Sequence, residues 1–363
     1  MHVRSMISLL FAATAGSLVV ASDAELASLS SVERQTLAQE LVAWKRSPAA
    51  KDAEQLGLNE IIAAHESHSD VEAATLGYST EELRRFQQAK QLVAEMEKQH
   101  PNADFTLASP FSLLTNDEFE QFVARSGLRG KQQPESNNQA LLSFDDDDDL
   151  PVEVDWRQSG CLPPVKNQGH CGSCAYFSST AAIEASMCMY QNGDLRLYSE
   201  QRTVSCFGGG CKGEWPHLVM EFVKEQGVCH SDDYPYTSGT TQQFGVCKLN
   251  SCKPEMPKIQ NVVQVNTTES SLKFALRNRP TVIMLAAGNK SFKQYKSGIL
   301  EGCGDAQMDH AVLLVGYDEQ AWNIKNSWGA SWGDNGFVRL RRGLADPLGA
   351  CRVLEFNPVF PEF

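Results

Sequence analysis

The sequence predicts an α+β protein in which a mostly helical front region precedes a cysteine-rich region of helices and strands. The composition changes near residue 150, because residues 25–130 are rich in Glu, Gln, Ala and Leu and every cysteine falls at or after Cys161. The alanine-rich apolar segment that follows Cys174 is typical of a helix. Two strand-like runs on either side of a polar turn, between His310 and Asn326, predict an antiparallel hairpin.

Residues 1–21 have the pattern of a secretory signal peptide. His2 and Arg4 precede an apolar run from Met6 to Val20, and small residues near Ala21 fit a cleavage site. Neither this run nor any later one is long enough for a membrane-spanning helix. We therefore expect a chain without a membrane anchor that is secreted, or delivered to an acidic, lysosome-like compartment.

The acidic charge is concentrated in the front region. The formal net charge is −13, and the first 150 residues carry −12 of it. The five Asp residues at 145–149 end a polar linker that has little to bury, so we expect this linker to be exposed and mobile. No Lys/Arg cluster suggests a nucleic-acid partner.

Residues 79–100 have the pattern of an amphipathic helix. Ser79 stands at the N-cap position and Glu82 at the matching position of a capping box. Apolar residues recur near helical spacing at Leu83, Phe86, Leu92, Val93 and Met96.

The stretch VKNQGHCGSC contains two cysteines three residues apart, and it fits a metal site, a disulfide corner or a nucleophile. A zinc site at Cys171 and Cys174 would need a second Cys or His pair at comparable spacing, and none is evident. A thioredoxin-like pair would follow a strand, whereas Asn167-Gln168-Gly169 precedes this one. The nucleophile reading requires a base from elsewhere in the chain.

His310 and Asn326 can supply that base and a residue to orient it. A turn centred near residues 318–319 places His310 opposite residues 327–328, within a residue or two of Asn326. The amide can hold one ring nitrogen of His310 and leave the other for a thiol. Together with Cys174, the two residues predict nucleophilic catalysis.

These residues resemble the papain-like, or cathepsin-like, cysteine proteases. The family signature is C-G-[SA]-C-[WY] with a downstream His and Asn, and this chain has CGSC followed by Ala175. LPVEVDWRQSG, DHAVLLVGY and IKNSWGASWGDNGFVRLRRG are similar to further family segments within residues 150–363. The resemblance implies a helical half built around the Cys174 helix and a β-barrel half carrying His310 and Asn326, with a cleft between them.

The resemblance also implies a secreted zymogen with three parts. These are a signal peptide at 1–21, a mostly helical inhibitory propeptide with an acidic linker at 22–149, and a peptidase domain at 150–363. In the propeptide, Glu81 and Arg85 match the spacing of the family's inhibitory helix. We expect processing in the linker between residues 130 and 152 to be faster at pH 4–5, because carboxylates paired with basic residues lose that pairing in acid.

The implied activity is that of a thiol-dependent endopeptidase that cleaves polypeptides through a thioester. We expect it to act as a monomer, without metal or cofactor, and to be inhibited by its own propeptide. Two alternatives on the same fold stay open, a catalytically silent binding protein and an acyltransferase. The departures Ala175 and Glu214, at positions where the family usually has Trp and Gly, keep the silent protein open, whereas the presence of all four catalytic positions argues against it.

The resemblance assigns roles to individual residues. Cys174 is the nucleophile, held as a thiolate by the helix dipole and by His310. Gln168 resembles the oxyanion donor, and Asn326 orients His310. The implied substrate-binding residues, mostly apolar, are Gly213, Trp215, Pro216, Met308, Ala311 and Trp328, so apolar side chains are expected two positions before the cleaved bond.

The resemblance pairs six of the eleven cysteines. These bridges are Cys171–Cys211, Cys206–Cys247 and Cys303–Cys351. The other cysteines besides Cys174, namely Cys161, Cys188, Cys229 and Cys252, can form two more bridges in three possible pairings. Asn266 and Asn289 begin N-glycosylation sequons.

Overall fold

The computed structural model of the chain describes residues 26–63, 77–129, 131–134, 141–144 and 150–363. The predicted signal peptide and the five-Asp run lie outside these residues. None of the helices in the described part of the chain combines the length and apolar character needed to cross a membrane.

The described part of the front region, hereafter the prosegment, is mostly helical. Its elements are α1 Ser31–Lys45, α2 Pro48–Gln55, α3 Leu58–Ala63, α4 Thr80–Gln99, strand β1 Ala103–Phe105 and α5 Asn116–Ala124. The predicted capping box of α4 is confirmed, because Ser79 Oγ accepts from Glu82 N and Ser79 N donates to the Glu82 carboxylate. The predicted apolar face of α4 is buried except for Val93, which is partly exposed.

Arg85 joins the two longer helices that follow the α3 segment. It donates to Glu81 Oε1 at 2.6 Å within α4 and to Glu118 Oε2 at 2.5 Å on α5. The Arg85 side chain is only 3% exposed, so its charge depends on both carboxylates for compensation. This buried network fixes α5 relative to α4.

The helical half of the cysteine-rich region surrounds one buried helix. Its helices are α6 Cys174–Tyr190, α7 Glu200–Phe207, α8 Pro216–Gln226 and α9 Ser238–Thr241. Nearly every residue of α6 is buried, because α8 packs on one side and the β-half on the other. A helix that is covered all round needs no polar face, which agrees with the Ala-rich sequence after Cys174.

The β-half is built on one continuous set of strands. They are β2 Val154–Asp155, β3 Asn261–Gln264, β4 Thr281–Leu285, β5 Tyr295–Leu300, β6 His310–Tyr317, β7 Ala321–Lys325, β8 Phe337–Arg341 and β9 Val359–Glu362. Helices α10 Glu269–Asn278 and α11 Lys290–Gln294 lie between strands. The order is β1-β5-β8-β7-β6-β4-β9-β3, with β2 paired to β6. The prosegment therefore adds its own strand, β1, to the sheet of the cysteine-rich region.

The β6–β7 hairpin has the predicted register. Leu313 faces Lys325 and Tyr317 faces Trp322, with a bulge near Gly316. Continuing that register sets His310 opposite residue 328. The hairpin therefore brings the two predicted partners of the thiol to one end of the sheet.

The expectation of an exposed linker is wrong for Leu142 and Phe144, which are partly buried. Leu142 forms a parallel bridge with Val265, and Phe144 N donates to Ser271 Oγ. The Phe144 ring stacks on Phe274 at 4.4 Å between centroids. These apolar side chains gain burial on the peptidase surface, a long-range contact that the polar composition of the linker conceals.

The disulfides all lie within the cysteine-rich region. The pairs in the structure are Cys161–Cys188, Cys171–Cys211, Cys206–Cys247, Cys229–Cys252 and Cys303–Cys351. Cys174 is the cysteine that remains as a thiol.

Candidate active site

Cys174 is the first residue of α6 and is fully buried. The preceding Ser173 makes no side-chain capping bond, so capping does not occupy the first N–H groups of the helix. The nearby N–H groups of Ala311, Ala175 and Cys174 oppose the rise in the pKa of the thiol that burial causes. A helix N-terminus of this kind favours negative charge at the sulfur and at atoms beside it.

His310 is held by two neighbours. Its Nε2 lies 2.8 Å from Asn326 Oδ1, and its ring stacks on Trp328 at 4.7 Å between centroids. Asn326 Oδ1 also accepts from Ser327 N, which fixes the orientation of the amide. The imidazole is thus fixed in position, and its Nδ1 is the ring nitrogen that Asn326 does not engage.

Gln168 is anchored to the loop that follows the hairpin. Its Oε1 accepts from Ser327 Oγ at 2.6 Å, and its backbone N donates to Ser327 O. Its side-chain Nε2 donates to Cys171 O at 3.1 Å in the zymogen. The side-chain amide of Gln168 therefore lies near the start of the Cys174 helix, with its Nε2 directed toward Cys171.

The prosegment occupies the cleft. Leu128 packs into an apolar cluster with Cys174, and the other members of this cluster are Ala175, Trp215, Met284, Met308 and Ala311, flanked by Leu218 and Phe356. Ser126 Oγ donates to Asp309 O, and Arg129 lies 3.5 Å from the Asp309 carboxylate. Burial raises the pKa of Asp309 to about 6, although the Ala287 and Gly288 amides oppose that rise. Access to the sulfur is therefore closed by residues 126–129.

The predicted substrate-binding residues fall into two groups, one packed with Cys174 and Leu128 and one at the His310 ring. Trp215, Met308 and Ala311 contact the Leu128 cluster, and Pro216 begins α8 beside Trp215. Gly213 lies against the backbone carbonyl of Ser126 in the prosegment. Trp328 lies elsewhere, beneath prosegment aromatic rings, and its contacts there are Phe111 at 5.2 Å, Phe119 at 5.8 Å and Phe122 at 6.4 Å.

The sequence-based expectation of a resting thiolate is wrong for this zymogen. Burial raises the pKa of Cys174 to about 12, against the opposing effect of the surrounding amides. Burial also lowers the pKa of His310 to about 4, although the Asn326 hydrogen bond opposes that fall. Both groups are therefore neutral at physiological pH while the prosegment excludes water.

Two departures from the family pattern acquire a structural context. Glu214 turns its carboxylate toward its own chain, where Oε1 accepts from Trp215 N. Its charge also acts on Tyr176, a buried ring on the first turn of α6. Ala175 lies in the Leu128 cluster, so its small side chain faces apolar neighbours.

The two sequons differ in their surroundings. Asn266 Nδ2 donates to Ser143 Oγ at 3.3 Å in a half-exposed position. Asn289 Nδ2 donates to Ala286 O, its Oδ1 accepts from Phe292 N, and the sequon Ser291 is buried. Asn266 is therefore the more accessible acceptor in the folded zymogen.

Sequence reasoning missed Leu128, Asp309 and His170. His170 is 4% exposed, and both its ring nitrogens lack a partner among the described residues. Leu128 belongs to the prosegment, and Asp309 and His170 contact its residues Arg129 and Phe122, so no local pattern distinguishes these three side chains. The only sequence signal for Leu128 was its position as an isolated apolar residue after a helix.

Comparisons with known proteins agree with this geometry. Residues 150–357 match the sequence profile of the papain family cysteine proteases. Papain from Carica papaya is 36% identical over 255 residues, which cover 69% of this chain and 72% of papain. The recombinant stem bromelain precursor is 28% identical with a TM-score of 0.68, over 87% of this chain and 99% of the precursor.

A mature-length structure also matches. The Carica candamarcensis cysteine protease CMS1MS2, solved in complex with E-64, is 36% identical with a TM-score of 0.54. The match covers 58% of this chain and 98% of that protein. The present chain belongs to the papain family of cysteine proteases and is a thiol endopeptidase zymogen.

Proposed function

We propose that Cys174 is the nucleophile of this endopeptidase, with His310 as its proton carrier and Asn326 as the residue that orients His310. One observation carries the proposal. The thiol left outside the five disulfides lies at the start of a buried helix, in a cleft that also holds the His310–Asn326 pair. A nucleophile, a base and an orienting group are what thiol catalysis requires.

The reaction begins once the prosegment has left and water has returned to the cleft. His310 Nδ1 takes the thiol proton, and the sulfur forms a bond to the peptide carbonyl carbon. The oxygen that becomes negative accepts from the Gln168 side-chain amide and the Cys174 N–H. One such donor is typically worth about 3 kcal/mol in the transition state.

The second half of the reaction returns the enzyme to its starting state. The C–N bond breaks as His310 gives its proton to the leaving amine, and a thioester remains on Cys174. His310 then removes a proton from water, whose oxygen attacks the thioester carbon; the C–S bond breaks, the acid leaves, and His310 returns the proton to the Cys174 sulfur. Trp328 covers His310 on one face, which limits the access of water to the His310–Asn326 hydrogen bond.

We also propose roles for the remaining parts of the chain. Residues 1–21 act as signal peptide, 22–149 as an inhibitory propeptide and 150–363 as a monomeric peptidase that is secreted or held in an acidic compartment. The position of Leu128 supports the inhibitory role, because it fills the apolar cluster beside Cys174. The five disulfides support export, since such bonds persist in oxidising compartments.

The test of the proposed nucleophile is Cys174→Ala. The acid-treated variant should lose thiol-dependent cleavage of an unstructured polypeptide, because only substrate binding and the oxyanion donors remain. Its circular dichroism spectrum should match that of the wild type. Wild-type rates in the variant would refute the assignment, and an inactive wild-type protein would indicate a silent protein on this fold.

A further inference from the structure

Lys293 is a peptidase residue whose charge is satisfied by the prosegment. It lies on α11, is 3% exposed, and its Nζ donates to Leu114 O and, at 3.3 Å, to Asn116 Oδ1. Both acceptors leave with the prosegment. Among the described residues no carboxylate lies within ion-pair distance of this ammonium group.

The path of the prosegment locates Lys293 relative to the reacting bond. Leu128 fills the cluster assigned to the side chain two positions before the scissile bond, which marks the acyl side of Cys174. The earlier segment, residues 109–122, covers the Trp328 side. A substrate that follows the path of the prosegment would place its leaving group beside Trp328.

Lys293 lies on that same leaving-group side. Its neighbour Phe292 contacts Trp328 at 6.5 Å between ring centroids, and Trp328 stacks on His310. Ser109 Oγ of the prosegment donates to Lys293 O at 2.6 Å, so one prosegment loop covers both the lysine and the indole. A substrate that replaces this loop meets both side chains.

We propose that Lys293 is a specificity-determining residue that favours Asp or Glu within the first three residues after the scissile bond. This inference deepens the proposed endopeptidase function and rests on it. After the prosegment leaves, the ammonium group of Lys293 has lost both of its hydrogen-bond acceptors, and the neighbouring apolar surface of Phe292 and Trp328 supplies no replacement. A substrate carboxylate supplies both hydrogen-bond acceptors and the opposite charge, which neutral side chains cannot do.

The prosegment itself offers partial support. Burial lowers the pKa of Lys293 to about 7 while the prosegment is docked, although the charge of Glu118 opposes that fall, and the Glu118 carboxylate itself accepts from Arg85. Lys293 must therefore take a backbone carbonyl and an amide oxygen from the prosegment. The prosegment therefore binds Lys293 through neutral oxygen atoms, and an ion pair with a carboxylate remains possible only for a substrate.

The test uses the processed wild-type enzyme and internally quenched peptides that differ only by Glu or Gln at each of three positions after the bond. At one or more positions Glu should raise kcat/KM about three- to tenfold at low salt, and 0.5 M NaCl should reduce that ratio. Lys293→Met should bring the ratio near one, and Lys293→Arg should restore it. Lys290→Gln, an exposed lysine on the same helix, should leave the ratio unchanged.

A ratio near one in the wild type at all three positions would overturn the inference, as would a ratio that persists in Lys293→Met. If the Met variant fails to fold as a zymogen, the wild-type ratio and its salt dependence still decide. Hydrolysis of the Gln peptides by the wild type tests the proposed function separately. If the Gln peptides are not cleaved and the Glu peptides are not either, the endopeptidase assignment fails and not the role of Lys293 alone.

Discussion

The carbonyl oxygen of Ser126 lies so close to Gly213 that a β-carbon on this glycine would come within 1.4 Å of it. Gly213 also has φ of +77°, a conformation that other residues rarely adopt. The prosegment backbone therefore passes over the peptidase backbone with no room for a side chain between them. A substrate backbone that follows the same path would need the same space.

We expect Gly213→Ala to weaken inhibition by the prosegment by at least tenfold and to raise KM for peptides. The added methyl group must push the bound chain away, and contact of 1.4 Å cannot be relieved by a side-chain rotation. The measurement is the inhibition constant of the separate prosegment against processed enzyme. Gly343→Ala is the matched control, since Gly343 has φ of +73° but open space around its β-carbon position. Equal effects of both changes would mean that strain, and not contact, is responsible.

His310→Ala should cost more activity than Asn326→Ala. Loss of the proton carrier should lower kcat by about 10³-fold or more, whereas a misoriented imidazole should cost about 100-fold. Steady-state kinetics with one neutral peptide provides the comparison. Asn323→Ala serves as a control, because Asn323 is a buried residue of β7, the strand that ends just before Asn326, and its side chain does not hold His310. A larger loss in Asn326→Ala would contradict the division of roles.

The Leu128 cluster predicts substrate preference as well as inhibition. A peptide library should show apolar residues two positions before the cleaved bond, with broad tolerance, because one methylene is worth about 1 to 3 kcal/mol. Leu128→Asp should weaken prosegment inhibition about 100-fold, since it places an unpaired charge among apolar side chains. The exposed Val32 offers a control as Val32→Asp. A dominant Arg in the library, or removal of terminal dipeptides only, would refute this prediction.

His170 predicts how acid weakens inhibition. Its ring stacks on Phe122 of the prosegment at 5.9 Å, and Gly57 packs against its β-carbon. Burial, and then the charge of Arg125, lower the pKa of His170 to about 4. Arg125 is the charged group that acts on this ring; Phe122, Gly57 and Gly239, from the other segments packed against it, bring no charge.

The direction of the pH effect follows from that lowered pKa. Removal of the prosegment should return the pKa of His170 toward its ordinary value of about 6.5, so protonation favours the dissociated state. The contribution of His170 to inhibition is complete above about pH 6.5 and is lost as the pH falls toward 4. The inhibition constant should therefore rise by up to about tenfold per pH unit in this window.

The comparison is between wild type and His170→Gln from pH 7.5 to pH 4.5. The variant should show a shallower rise of the inhibition constant, while His230→Gln, which changes an exposed histidine, should follow the wild type. Identical slopes for His170→Gln and wild type would assign the acid effect to carboxylates. Among the described ion pairs, Glu95–Lys290 and Asp309–Arg129 join the prosegment to the peptidase, whereas the carboxylates of Glu40, Glu81, Glu82 and Glu118 pair within the prosegment.

The parts of the structure that local patterns determine were predictable from sequence. The Ser79 capping box and the register that sets His310 opposite residue 328 depend on neighbouring residues and on turn position alone. The packing of Phe144 on Phe274 was not predictable from sequence, because it joins residues 130 positions apart, in two regions of the chain that differ strongly in composition. The neutral state of Cys174 was missed for a similar reason. It follows from the water excluded by a distant segment, not from the helix that carries the thiol.

The disulfides close within residues 161–351, and no cysteine precedes Cys161, so no cross-link ties the prosegment to the peptidase. One cut in the linker therefore turns a tethered inhibitor into a separate molecule. Before the cut its effective concentration at the cleft is on the order of millimolar, and afterwards it equals the concentration in the surrounding fluid. At a high concentration of the protein, the cleaved prosegment would stay bound to the peptidase, whereas dilution into a large volume would separate the two. Dilution thus becomes a second trigger, reversible where the cut is not.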